Sequence, residues 1–172
     1  LTEILDARGR KTALLYNQRS QLSQIFHKPT RGIELCYHPS GLLSQIFPVK
    51  RGPSDQQEDQ VTRLHGGDTQ PLAEYRYDAQ QDLISATDGQ HRTEQYYYYK
   101  HLITQRTLPS GFRFHFEWQG SSASARCIHN WGDDEIYDYR FQYDDDLRTT
   151  QCTNSLGHTS TYWHDEALQL IQ

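Results

Sequence analysis

Residues 75–89 read YRYDAQQDLISATDG: an aromatic residue, an aspartate, a short polar gap and then a leucine. The same phrase recurs, imperfectly, along the whole chain. Its aromatic anchors, Tyr16, Tyr37, Tyr77, Tyr99, Trp118, Tyr143 and Trp163, stand 21, 40, 22, 19, 25 and 20 residues apart. The interval of 40 is two periods, so the chain carries a repeat of roughly 20 residues with one anchor missing near residue 57.

After each anchor comes a polar turn and an aliphatic residue, as in YNQRSQL (16–22), YHPSGLL (37–43), YDAQQDL (77–83) and YDDDL (143–147). Asp78 and Asp144 follow their anchors directly. A second turn shows as DARG (6–9), NSLG (154–157) and the variant LPSG (108–111). Asp6 or Asn154 at the first position and Gly9, Gly111 or Gly157 at the fourth suit a type I turn, as does Gly41 after the Tyr37 anchor. The short side chain accepts from backbone amides, and glycine tolerates the exit geometry.

Between turns the residues alternate with period two. Phe112, Phe114, Phe116 and Trp118 fall on one face and Arg113, His115 and Glu117 on the other; Tyr137, Tyr139, Phe141 and Tyr143 oppose Asp138, Arg140 and Gln142. Such aromatic, alternating segments are strands, and no stretch keeps a helical period. The reading is an all-β fold of consecutive antiparallel hairpins in a curved sheet of roughly 12 to 16 strands. In it the anchors pack laterally on their counterparts in neighbouring hairpins. Residues 1–47 and 74–172 carry the repeats; 48–73, rich in Pro, Gly, Asp and Gln, is a degenerate unit or loop excursion. QGSSASARC (119–127) reads as an extended hairpin loop.

Composition agrees with many shallow surfaces rather than one deep core. The chain of 172 residues is 35% hydrophobic, with 12 tyrosines and a net charge of -5, and its mean hydropathy is -0.89. Scattered Lys and Arg make no basic stripe for nucleic acid, and no apolar run is long enough for a membrane-spanning helix. Methionine is absent, even at position 1, so a processed piece or an excised fragment is expected. Cys36, Cys127 and Cys152 lack metal-ligand spacing and read as small apolar strand residues.

Other constellations are weighed and set aside. Asp133, Asp134 and Glu135, like Asp144, Asp145 and Asp146, hold turn positions without the spacing of a calcium loop. His158 and His164 lie too far apart on an extended strand to share one zinc ion. Glu117 with Asp138 is a conceivable glycosidase pair, but the repeat is not disturbed there. Ser110 and Ser155 sit in no nucleophile motif. No catalytic residue, cofactor or metal site is assigned.

The pattern resembles the YD repeats of the RHS (rearrangement hotspot) family, written as Tyr-Asp, two variable residues, Gly, then Arg-Leu or a similar pair. YRYDAQQDL (75–83) matches without the glycine, and LCYHPSGLL (35–43) with His38 and Pro39 in place of the aspartate and its neighbour. SGFRFHFEWQG (110–120), ARCIHNWGDDEIYDYRFQYDDDL (125–147) and TNSLGHTSTYWHDEALQLI (153–171) resemble a segment of bacterial RHS toxins, especially those delivered by type VI secretion. The resemblance covers nearly all of the chain except residues 48–73. It implies a β-sheet that spirals into a hollow shell around a variable C-terminal toxin, released by self-cleavage at a motif near the end of the shell. Neither that motif nor a toxin domain is recognisable here.

The resemblance further implies delivery by a bacterial secretion system from a cytoplasmic precursor. The implied partners are the remaining shell or another chain at the strand edges, the enclosed toxin, and a secretion-system spike protein or chaperone. The competing expectation is a carbohydrate- or protein-binding module on the bacterial surface, using exposed Tyr and Trp as stacking platforms.

Overall fold

The computed structural model describes residues 2–28, 30–52, 61–63 and 70–171. They form fifteen strands and a single 3-10 turn at Asp133–Glu135, the all-β fold of consecutive antiparallel hairpins that the alternation predicts. Residues 1–93 and 94–172 cluster as two compact units.

The first unit contains β1 (Thr2–Leu5), β2 (Lys11–Tyr16), β3 (Leu22–Lys28), β4 (Arg31–Tyr37), β5 (Leu43–Arg51), β6 (Val61–Arg63), β7 (Ala73–Tyr77) and β8 (Leu83–Asp88). Each strand pairs antiparallel with the next, except that β5 is shared: its first half pairs with β7 and its last three residues with β6. The stretch expected as an excursion thus opens and closes on strand. Residues 53–60 and 64–69, and with them the missing anchor near 57, lie outside the described residues.

The core of this unit sits where β6 covers β5. One lateral row runs Phe26, Gly32, Val49, Arg63 across four strands. Phe26 and Phe47 keep only 3% and 5% of their surface and Val49 none. The Arg63 guanidinium lies 3.7 Å from the centre of the Phe47 ring, and that of Arg51 4.4 Å from Phe26, so two cations roof the aromatic pair. Gly32 is required because the Phe26 ring and the Ile25 carbonyl occupy the space a Cβ would need.

The second unit contains β9 (Thr93–Tyr99), β10 (Leu102–Thr107), β11 (Arg113–Gln119), β12 (Arg126–Gly132), β13 (Tyr139–Asp144), β14 (Thr149–Asn154) and β15 (Thr159–Trp163). Each pairs antiparallel with its successor. Phe114 opposes Gly132 and Phe116 opposes Asn130, while His115 opposes Trp131 and Glu117 opposes His129. The face assignments read from the alternation therefore carry across the ladder. Phe112 fills the space over Gly132 as Phe26 does over Gly32, the same aromatic cover of a strand glycine in both units.

One irregularity recurs in the returning strands. Tyr16, Tyr37, Tyr77 and Trp118 pair with Leu22, Leu43, Leu83 and Cys127, yet the residue before each anchor pairs two positions beyond that partner, with Gln24, Gln45, Ser85 and His129. Ser23, Ser44, Ile84 and Ile128 are the extra residues, each a bulge that takes backbone groups off the ladder.

Candidate functional site

The turns are built first, because they hold the anchors in place. In six of them an Asp or Asn carboxyl or amide oxygen accepts from the amides two and four residues on. Asp6 takes Arg8 and Arg10 at 2.8 and 2.9 Å, and Asn17 takes Arg19 and Gln21 at 2.9 and 3.0 Å. Asp78 takes Gln80 and Asp82, both at 2.9 Å; Asp88, Asn154 and Asp165 repeat the arrangement. Each side chain closes a type I turn. Gly9, Gly41, Gly111 and Gly157 occupy the fourth position with positive φ. Ser20, Gln81, His91 and Leu168 adopt the same conformation without being glycine, which is why DGQH (88–91) and DEAL (165–168) escape a motif that demands Gly. Asp144 closes a longer turn, accepting from Leu147 at 2.8 Å.

Six of the seven anchors divide into two groups, and Tyr77 belongs to neither. Tyr37 donates its hydroxyl to the Leu22 carbonyl at 2.6 Å, Trp118 its indole N–H to Ile103 at 2.6 Å, and Tyr143 its hydroxyl to Cys127 at 2.7 Å. Each acceptor directly precedes a bulged residue, Ser23, Thr104 or Ile128. An anchor thus binds a carbonyl of the preceding hairpin beside its bulge, and burial pushes the phenols of Tyr37 and Tyr143 up, keeping them protonated donors. The bulged hydroxyls reciprocate across the strand: Ser23 to Leu15 at 3.2 Å, Ser44 to Cys36 at 3.0 Å and Thr104 to Tyr97 at 3.2 Å. LSQIF occurs at 22–26 and again at 43–47, a repeated signal for this bulge.

Tyr16, Tyr99 and Trp163 are different, being 47%, 63% and 42% exposed. Tyr99 leads into a two-residue turn in which Lys100 and His101 both have positive φ, and the Lys100 ammonium stands 5.4 Å from the Tyr99 ring centre.

The second unit carries a cluster that the spacing did not reveal. Trp131 stacks on His129 at 4.2 Å and on His115 at 5.3 Å. Asp133 accepts from the Arg113 amide at 3.0 Å and guanidinium at 3.1 Å and lies 3.2 Å from His115 Nε2. Burial raises the Asp133 pKa, but the bonds from Arg113 and His115 outweigh it and hold the carboxyl below its ordinary value. His129 stands between Asp138, 3.0 Å from Nε2 but out of hydrogen-bond alignment, and Glu117, 3.7 Å from Nδ1. The two carboxylates weighed as a glycosidase pair therefore both face one imidazole.

Asp145 is held by Arg126 at 2.7 Å, and His164 contacts the Thr150 hydroxyl at 3.2 Å. Among the described residues no three His, Cys, Asp or Glu side chains gather as a metal site. Cys36, Cys127 and Cys152 are free thiols, each pushed up by burial and so disfavoured as thiolates. Among the described residues no helix is long and apolar enough to cross a membrane.

No family model matches the chain, and no curated protein matches it. Among solved structures it is similar to "Crystal Structure of TcdB2-TccC3-Cdc42", with a TM-score of 0.42 and 12% identity over 93% of this chain and 10% of that one. It is also similar to "Crystal Structure of TcdB2-TccC3-TEV", with a TM-score of 0.31 and 13% identity over 98% of this chain and 12% of that one. The chain thus spans about a tenth of the length of either neighbour, and at this level of likeness neither assigns it a function.

Proposed function

We propose that this chain is a non-enzymatic wall segment of an RHS-repeat shell that encloses and sequesters a C-terminal toxin in a bacterial polymorphic toxin delivered by a secretion system. The observation that carries the reading is the repetition of one hairpin device. The same two-amide turn closes six times, and anchors bond back to the preceding hairpin beside its bulge. A device of this kind propagates a sheet hairpin by hairpin, so stability comes from neighbour on neighbour rather than from one central core. The partners on this reading are further shell at the strand edges, the toxin, and a spike protein or chaperone of the secretion system. Protease protection tests it. In the gene product that carries residues 1–172, a C-terminal toxin domain resists proteolysis until the shell is denatured; a domain digested at the rate of free toxin would defeat the proposal.

A second reading, a carbohydrate- or protein-binding module on the bacterial surface, is favoured by Tyr97 and Tyr99. They project from one face of β9 and are 50% and 63% exposed. It requires that loss of these two rings abolish binding to cell-surface material.

A further inference from the structure

A cleft opens between two neighbouring turns of the first unit. The turns at 17–20 and 38–41 are tied by Arg19 donating to the Pro39 carbonyl at 3.3 Å and Gln21 to that of Gly41 at 3.1 Å. Between the turns at 38–41 and 78–81 a cleft of about 650 Å³ takes the place of such ties. Tyr77 also differs from the three bonded anchors. By the pattern of Tyr37, Trp118 and Tyr143 it would donate to Leu43, beside the Ser44 bulge; instead His38 stands edge-on to its ring, 6.1 Å between centres at 88°.

The chemistry of the walls selects the guest. Pro39, Leu42 and Ile84 supply apolar surface, and the two perpendicular rings form a corner. Among the described residues the Tyr77 hydroxyl, Asp78 Oδ2, and the side-chain polar atoms of Ser40 and Gln81 make no hydrogen bond, so donors and acceptors are interspersed around the cleft. Arg76 is paired with Glu74 at 2.8 Å, which leaves its charge balanced and gives little pull on an anion. Burial pushes the Tyr77 phenol up, keeping its proton. A ligand with one apolar face and a rim of hydroxyls, each able to donate and accept, matches this lining.

We propose that the cleft between the His38 and Asp78 turns binds a neutral pyranose sugar. The site deepens the binding-module reading and rests on it for ligand class, while a wall segment can carry it equally. The test is saturation-transfer nuclear magnetic resonance on the intact protein with a panel of neutral methyl pyranosides. Gln81→Gly removes the side chain at a position whose φ of 70° suits glycine, so the fold is retained; Ser40→Ala is a second variant outside the anchor. Ring-proton signals from at least one pyranoside, weakened about tenfold in affinity by Gln81→Gly and by Ser40→Ala and unchanged by Tyr99→Ala, are expected. Binding that survives both cleft variants but is lost on Tyr97→Ala or Tyr99→Ala overturns the cleft and leaves the module reading. Absence of binding to every pyranoside overturns the cleft as a sugar site and leaves only protein binding to the module reading.

Discussion

Two strand glycines and one tyrosine show how much rests on single side chains. At Gly32 and Gly132 a methyl group would collide with Phe26 or Phe112 and with a backbone carbonyl. Alanine at either is expected to cost about 1–3 kcal/mol through overpacking, measured by denaturant unfolding. The control is Gln81→Gly, at a residue already in the left-handed region; it is expected to stabilise slightly or leave the midpoint unchanged, because the strain it relieves offsets the added chain entropy. Tyr96 donates to Glu94 at 2.8 Å, and Arg106 grips the same carboxylate at 2.8 and 2.9 Å. Burial first, then the bond to Glu94, pushes the Tyr96 phenol up to about 12. A phenol raised in the folded state contributes stability that is complete below its unfolded value near 10 and lost as the pH climbs through about 12. The Arg106 bond lowers the Glu94 pKa, so its contribution is complete above the ordinary carboxylate value and disappears as the pH falls. Ultraviolet titration of the wild type against Tyr96→Phe is expected to lose the last phenol to ionise.

At the scale of the hairpin, the anchors that donate to a neighbour's carbonyl are distinguished from those that merely keep the spacing. Trp118→Ala is expected to cost about 2–4 kcal/mol, whereas Tyr99→Ala, at an exposed site, stays within about 0.5 kcal/mol. Tyr37→Phe strips one hydrogen bond from a part-buried carbonyl and is expected to cost about 1 kcal/mol. Thermal melts of the three variants check the ranking. Sequence spacing exposed the hairpins and the Asx turns, because alternation and Asp-to-Gly phrases are local. It did not separate Trp118 from Tyr99, since bonding to the previous hairpin depends on a bulge that residue counting does not reveal. The Trp131 stack was hidden for a similar reason. His115 and His129 are 14 positions apart in the sequence and meet on Trp131 only through the β11–β12 register. The Val49 core needed β6, whose three residues, VTR, lie in a stretch rich in Pro, Gly, Asp and Gln where only QVTRLH (60–65) hints at alternation.

At the scale of the whole molecule, the described residues leave β1 paired on one side only, with Ile4 and Leu5 exposed, and leave Leu168, Leu170 and Ile171 exposed beyond β15. Open strand edges flanked by apolar side chains recruit other strands. Residues 1–172 expressed alone are therefore expected to self-associate in light scattering, and Ile4→Lys to reduce that association; a stable monomer with a cooperative melt would favour a self-contained binding module. On the proposed function these hairpins are part of a wall. Electron cryomicroscopy of the gene product that carries them tests it most directly. Density for residues 1–172 is expected within a closed β-sheet shell, paired at both edges and surrounding a C-terminal domain; the same residues folded as a separate module outside any enclosure would refute the wall.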